Sequence, residues 1–190
     1  MKKEWNLISR RLEELQLELF HLEVSESLSL YLVAGEDHRF WTHFGVDPVS
    51  LVRAFWQSIF KGTPQGGSTI AMQLVRTITG NYKRTLPRKL KEILLAVILT
   101  RKYPKEDIIK FYLGIAYFGW NMHGLEQACR FLGKKCSQLN EHDAASIIAR
   151  LKYPQTKKPN HQRDFLIKRR TQHLILRHKS LISRGQYGAI

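Results

Sequence analysis

Residues 35–45 (GEDHRFWTHFG) bring two adjacent carboxylates, two imidazoles and three aromatic rings into eleven positions. Glu36 is the candidate for chemistry. A carboxylate set among aromatic side chains loses solvation, and its proton affinity rises toward the range useful to a general acid or base. Read alone, the stretch is equally a helix end that carries Glu36 and Asp37 as solvated charges. His38 and His43 lie five positions apart with no third ligand nearby, so they make no metal site.

A second group of residues suits an anion. Residues 66–73 (GGSTIAMQ) put a glycine pair and two hydroxyls, Ser68 and Thr69, at a helix start, where free backbone N–H groups bind negative charge. The plainer reading is an N-cap behind a hinge. Arg76, Lys83, Arg84, Arg88 and Lys89 follow within fourteen positions, a density better matched to a diphosphate than to a duplex groove. A solvated basic face is the alternative. Arg88 and Glu92 stand at i and i+4 of one helix. They are either a surface ion pair worth roughly a few tenths of a kcal/mol or a second carboxylate for the site. Two carboxylates in a cleft are the usual equipment of glycosyl chemistry.

Helices must position these groups. Trp5, Ile8, Leu12, Leu15, Leu19 and Leu22 recur at spacings of three and four, which predicts a seam helix within residues 1–28. That seam packs on its own domain, on a partner helix or on a membrane surface. Residues 47–61 predict an amphipathic helix with Asp47 as cap and Pro48 in its first turn, its apolar face rich in aromatics. Residues 62–67 read as a flexible loop. Further helices are predicted over 69–78, from Pro87 to about 102, over 106–112, 126–132 and 141–151, and over a basic tail, 165–179. The stretch 114–119 reads as a turn, and 29–33 is the one short strand candidate.

The composition narrows the partners. Of 190 residues, 43% are apolar, enough for one domain with a real core. The net charge is +15 and uneven: residues 1–60 hold six basic and nine acidic side chains, residues 61–190 hold 25 and seven. Such a field favours a polyanionic partner. Cys129 and Cys136 form no metal or disulfide framework pattern and read as buried or idle thiols, with a single disulfide as the other option. No secretory signal is visible. The longest aliphatic run, residues 93–99, is far short of the ~20 residues needed to span a bilayer.

Taken in order, these segments resemble the peptidoglycan glycosyltransferases, the family of monofunctional transglycosylases and of the transglycosylase modules in bifunctional penicillin-binding proteins. Glu36, Asp37, Phe40, His43 and Gly45 match the first family motif, and residues 66–73 match the second. Arg88, Lys89 and Glu92 match the third. Residues 106–113 with Tyr117-Phe118-Gly119 resemble the fourth, and 143–154 the fifth. The resemblance covers about residues 30–180. It implies a mainly α, lysozyme-like fold in one domain, with a head and a jaw, residues 46–65 forming a mobile, membrane-facing jaw segment. It implies polymerisation of lipid II onto a growing glycan carried on undecaprenyl diphosphate, with inversion and a β-1,4 link. Glu36 and Glu92 are then the catalytic carboxylates. Asp37, Phe40, His43, Ser68, Thr69, Gln73, Arg76, Lys83, Arg84, Arg88 and Lys89 are then the substrate contacts. No metal ligands and no required cofactor are implied, with a divalent cation left open. The implied place is the outer face of a bacterial cytoplasmic membrane. The chain is held there peripherally or by a segment outside it, alongside other cell-wall synthesis proteins.

Five positions depart from the family pattern: Met72 replaces a common Gln, Arg76-Thr77 stands for Lys-Asn, Thr100 for an acidic residue and Gly114 for an Asn. Those at Met72, Thr77 and Gly114 sustain a second reading, a weakly active homologue that binds lipid II or serves as a scaffold. A lysozyme-type glycan hydrolase is a third reading, but its sugar leaving group has no use for the basic cluster. A nucleic-acid-binding domain is suggested by charge alone and leaves the Glu36 motif unexplained.

Overall fold

A computed structural model describes residues 1–60 and 66–185, apart from the side chains of Phe55, Ser58 and Ile59. Among the described residues the chain is mainly α, as expected, with one small hairpin. Its helices are α1 (Lys2–Glu18), α2 (Glu26–Glu36), α3 (Pro48–Phe60), α4 (Ile70–Thr79), α5 (Leu86–Lys102), α6 (Lys105–Ile115), α7 (Leu125–Phe131), α8 (Glu141–Lys152) and α9 (His161–Ser183). Strands β1 (Tyr117–Gly119) and β2 (Met122–His123) pair antiparallel between α6 and α7.

The N-terminal seam packs on its own domain. Ile8, Leu12 and Leu15 of α1 are fully buried against α4 and α6, and each contributes about 1.5–3 kcal/mol by leaving water. Leu19, one residue past the helix, seats on Gly114, where a Cβ would run into its side chain. This explains the departure at 114: a larger residue there would lift the end of α1 off α6.

Helix α2 is the axis of the fold. Ser25 caps it, its hydroxyl accepting the Leu28 N–H at 3.4 Å. Leu28, Tyr31, Leu32, Val33 and Ala34 are all buried, with α8 and α9 packed alongside. The strand expected at 29–33 is therefore wrong. A helix buried on most sides shows a continuous apolar run, which periodicity cannot tell from a strand. The turn expected over 114–119 is likewise corrected. Gly114 is inside α6, and the chain then runs into the β1–β2 hairpin, which turns at Asn121 with φ +57°. The free-thiol reading also fails. Cys129 and Cys136 form a disulfide, with Cα atoms 5.7 Å apart. Gly133, at φ +64°, folds the chain back after α7, and the Lys134 N–H reaches the Cys129 carbonyl at 2.8 Å. That backbone turn leaves no trace in cysteine spacing.

Helix α3 forms where the aromatic amphipathic pattern predicts it. Val49, Val52, Trp56 and Phe60 are exposed, and Trp56 stacks on Phe60 with ring centroids 4.7 Å apart. Residues 61–65 of the expected jaw lie outside the described residues. No helix among the described residues is long and apolar enough to cross a membrane.

Candidate active site

Glu36 is the last residue of α2, at the wall of a cleft of about 600 Å³. One carboxylate oxygen, Oε2, lies 3.4 Å from Gln73 Nε2 on α4, and Oε1 lies 3.3 Å from an Arg170 guanidinium nitrogen on α9. Gln73 is itself fixed, because its Oε1 accepts the Tyr112 hydroxyl at 2.6 Å. Burial pushes the Tyr112 phenol up, so it remains a donor. Arg170 also donates to the Gly35 carbonyl at 2.9 Å. The aromatic setting expected for Glu36 is thus replaced by an amide and a guanidinium. Phe40 and Trp41 pack edge to face in a short 3₁₀ turn (Phe40–Thr42), with Phe40 only 1% exposed.

The residues after Glu36 join its motif to the start of α4. Asp37 is buried. Its carboxylate accepts from His43 Nε2 at 2.9 and 3.1 Å and from the Ile70 N–H at 3.1 Å. His43 Nδ1 accepts the Gly45 N–H at 3.2 Å, which leaves Nε2 as the ring nitrogen that carries hydrogen. Thr69 caps α4 and donates to the Gly45 carbonyl at 2.6 Å. Gly45 itself sits at φ +97° against the Ala96 carbonyl of α5, where no Cβ fits. Asp37, His43, Gly45 and Thr69 therefore fix Glu36 relative to the glycine-rich loop and to α5.

The third motif lies behind this wall. Glu92 is 3% exposed and receives Arg88 and Lys89, the latter at 3.0 Å. Lys89 Nζ also donates to Ser68 Oγ at 2.8 Å, so Glu92 reaches the cleft through Lys89 and Ser68. Burial lowers the Lys89 pKa, and Glu92 opposes that shift. The surface ion pair weighed for Arg88 and Glu92 is instead a buried one. Glu92 does not line the main cleft. It borders a smaller cavity with Arg88, Asn81 and Lys91, and Arg76 lines both.

Among the expected site residues, Glu36, Asp37, Ser68, Thr69, Gln73 and Arg76 line the cleft. Arg88, Lys89 and Glu92 support it from behind. Phe40 and His43 are buried beside it, and Lys83 and Arg84 are exposed on the connection from α4 to α5 and do not line it. The sequence reading did not assign Arg53, Lys152, Arg170, His173 and Arg177 to the cleft, nor His38, which it weighed only as a metal ligand. Arg170, His173 and Arg177 follow i, i+3, i+7, the one signal that places them on a single face of α9. Burial lowers the pKa of both His38 and His173, and the neighbouring arginines lower it further. Burial also raises the Asp47 carboxyl. Hydrogen bonds from Arg39 and Ser50 outweigh that effect and hold it well below the usual carboxylate range. Among the described residues no three His, Cys, Asp or Glu gather as a metal site. Three carboxylates line the cleft, but Asp37 is committed to His43 and Asp47 to Arg39 and Ser50, which leaves Glu36, held by Gln73 and Arg170, facing a surplus of positive charge. The cleft is equipped to accept one proton and to stabilise a phosphorylated anion.

Residues 6–178 match the family described as Transglycosylase. The chain belongs to that family, as the five motifs led us to expect. It is 37% identical over 150 residues to penicillin-binding protein 1A of Aquifex aeolicus, covering 78% of this chain and 21% of that protein. It is 38% identical over 140 residues to penicillin-binding protein 1A of Escherichia coli, covering 73% and 16%. Against penicillin-binding protein 1F of Bacillus subtilis the identity is 34% over 139 residues, covering 72% and 20%. The chain spans about a fifth of the length of these relatives.

Proposed function

We propose that this domain is a peptidoglycan glycosyltransferase that polymerises lipid II into β-1,4 glycan. Glu36 takes the proton of the acceptor hydroxyl as that oxygen attacks the donor's anomeric carbon. The bond from that carbon to the diphosphate oxygen breaks, and the electron pair leaves with undecaprenyl diphosphate. One displacement inverts the centre, so one base suffices. A diphosphate leaves as an anion without a proton, and what it requires is positive charge. In this reading Arg76 and the Lys89–Ser68 pair meet the diphosphate. Glu92 acts from behind by holding Lys89 and Arg88. Arg170 and Gln73 aim the Glu36 carboxylate.

The observation that carries the reading is the setting of Glu36: with Asp37 bound to His43 and Asp47 to Arg39, it is the remaining carboxylate at the wall of a cleft lined by Arg53, Arg76, Lys152, Arg170 and Arg177. A glycan hydrolase has a sugar as leaving group and gains nothing from such a lining. The exposed apolar face of α3 is proposed to rest in the outer leaflet of the cytoplasmic membrane, where lipid II is anchored, with basic residues near it drawn to anionic headgroups. The transfer is proposed to need no cofactor. Any divalent ion that assists rides on the diphosphate, and a chelator in the assay tests this.

The test is incubation of the purified chain with labelled lipid II in detergent, with Glu36→Gln as control and products resolved on a gel. Polymer from the wild type and none from the variant is the expected result. Lipid II binding without polymer would replace the transferase by a scaffold. Cleavage of finished glycan would replace it by a hydrolase.

A further inference from the structure

Helix α6 meets the Glu36 motif at two places. Tyr112 reaches Gln73 and, through it, Glu36. Two turns earlier on the same side of the helix, Lys105 reaches the motif from behind. Its Nζ donates to the Phe40 carbonyl at 2.7 Å and lies over the Phe40 ring, 5.5 Å from the centroid. The position is a poor one for a cation. Lys105 is the first residue of α6, after its cap Pro104, where the positive end of the helix repels it; a lysine that served the helix alone would stand in the last turn. Lys105 is half-buried. Burial lowers its pKa, and Asp37 and then Glu106 oppose that shift. Two effects therefore disfavour the ammonium here, and what holds it is the Phe40 carbonyl, the Phe40 ring and the charge of Asp37.

We propose that Lys105 is a positioning residue for the transfer: it clamps the 3₁₀ turn Phe40–Thr42 and so holds Asp37, and with it the Glu36 carboxylate, in place at the cleft wall. The inference rests on the transferase reading, with Glu36 as the base. The contacts run without a break. Lys105 holds the Phe40 carbonyl, and the turn is closed by the Phe40 N–H on the Asp37 carbonyl and the Thr42 N–H on the Arg39 carbonyl, both at 2.9 Å. The Phe40 ring packs edge to face on His43, with centroids 6.2 Å apart, and His43 donates to Asp37. Asp37 in turn accepts the Ile70 N–H at the start of α4. Glu36 is its chain neighbour. Ile108, Ile109 and Leu113 of α6 are buried, so the helix carries Lys105 and Tyr112 as one rigid body and fixes the base from two directions. Lys105 itself does not line the cleft. Its loss should therefore slow the transfer and leave substrate binding nearly unchanged.

The test is Lys105→Met in the whole chain, which keeps the length of the side chain and removes its charge and its donor. With labelled lipid II, kcat should fall about tenfold or more, as a small misplacement of a reacting group does, while KM stays within about twofold. Lys105→Arg keeps charge and donor and should recover most of the rate. A second readout is independent of activity. The Ile70 amide, bonded to Asp37, should exchange its hydrogen about tenfold faster in Lys105→Met, as measured by NMR. If Lys105→Met fails to fold, as judged by circular dichroism, Lys105→Gln removes the charge more gently and provides the same test. An unchanged kcat, whatever the change in Tm, would overturn the proposal, and so would a loss of rate carried by KM alone. A wild type that makes no polymer removes the transferase reading, and the Ile70 amide then decides. Unchanged exchange removes the clamp as well, whereas faster exchange keeps Lys105 as the residue that positions this site.

Discussion

Glu92→Gln tests whether the second carboxylate works as an anchor behind the cleft. Glu92 is 3% exposed and carries the only negative charge bonded to Arg88 and Lys89 among the described residues. The amide keeps the shape and removes that charge, so two largely buried cations lose their counter-ion. Breaking a buried pair from one side costs about 3–5 kcal/mol. The side chains of Arg88 and Lys89 retain 14% and 26% exposure, which puts the expected loss near the lower end, about 3 kcal/mol. For a chain of this size that lowers Tm by about 6–12 °C. Lys89→Gln should cost less, about 1–2 kcal/mol, because Glu92 keeps Arg88. In the double variant neither charge of that pair is left unmatched by the loss of the other. Its cost should therefore fall short of the sum by about 1 kcal/mol. Urea unfolding of the four proteins of the cycle, followed by circular dichroism, measures this. Additivity within about 0.5 kcal/mol, or an unchanged Tm in Glu92→Gln, would refute the anchor argument and return Glu92 to a direct role in the cleft.

Gly45→Ala should destabilise by about 2–4 kcal/mol in a thermal melt, because it places a Cβ at φ +97° into the Ala96 carbonyl. Stability should fall as pH drops below about 6.5, the value these histidines take in the unfolded chain. Burial depresses the folded pKa values of His38, His173 and His178 below it. The unfolded state then binds more protons throughout that window, and a Tm higher at pH 7.5 than at pH 5.5 is the expected readout. Reduction of Cys129–Cys136 should cost about 2.5 kcal/mol from its short loop. It is read as a lower Tm with dithiothreitol and as a mass gain of two hydrogens.

The parts of this molecule that read directly from the sequence are local in their physics. Helix α3 starts where Asp47 and Pro48 say it should, and Thr69 caps α4, because caps and first turns are settled within four residues. The triad of motifs around Glu36, Ser68 and Glu92 was legible as a set of residue types. Its division of labour was not. Whether a carboxylate touches substrate or braces a lysine depends on which way one face of α5 is turned, and that is decided by packing against α4. The role of α9 was hidden for the same reason. A run such as KRRTQHLILR reads as a solvated basic tail until α2 and α8 fix its rotation and direct Arg170 to Glu36.

The departures from the family pattern turn out to be of two kinds. Gly114 and Met72 answer to packing: Met72 is fully buried in α4, and Gly114 receives Leu19. A helix docked as closely as α1 needs a neighbour without a side chain, so the substitution at 114 and the seam of α1 form one structural feature that the sequence presents as two. Arg76 is different. It lines both the main cleft and the smaller cavity beside Glu92, and its planar guanidinium can donate to two acceptors at once where an ammonium is a point charge. An arginine there can hold the substrate's diphosphate from a position bordering the Glu92 cavity. The change at 76 therefore keeps the positive charge the proposed reaction requires, and of these departures it is the one that bears on the chemistry.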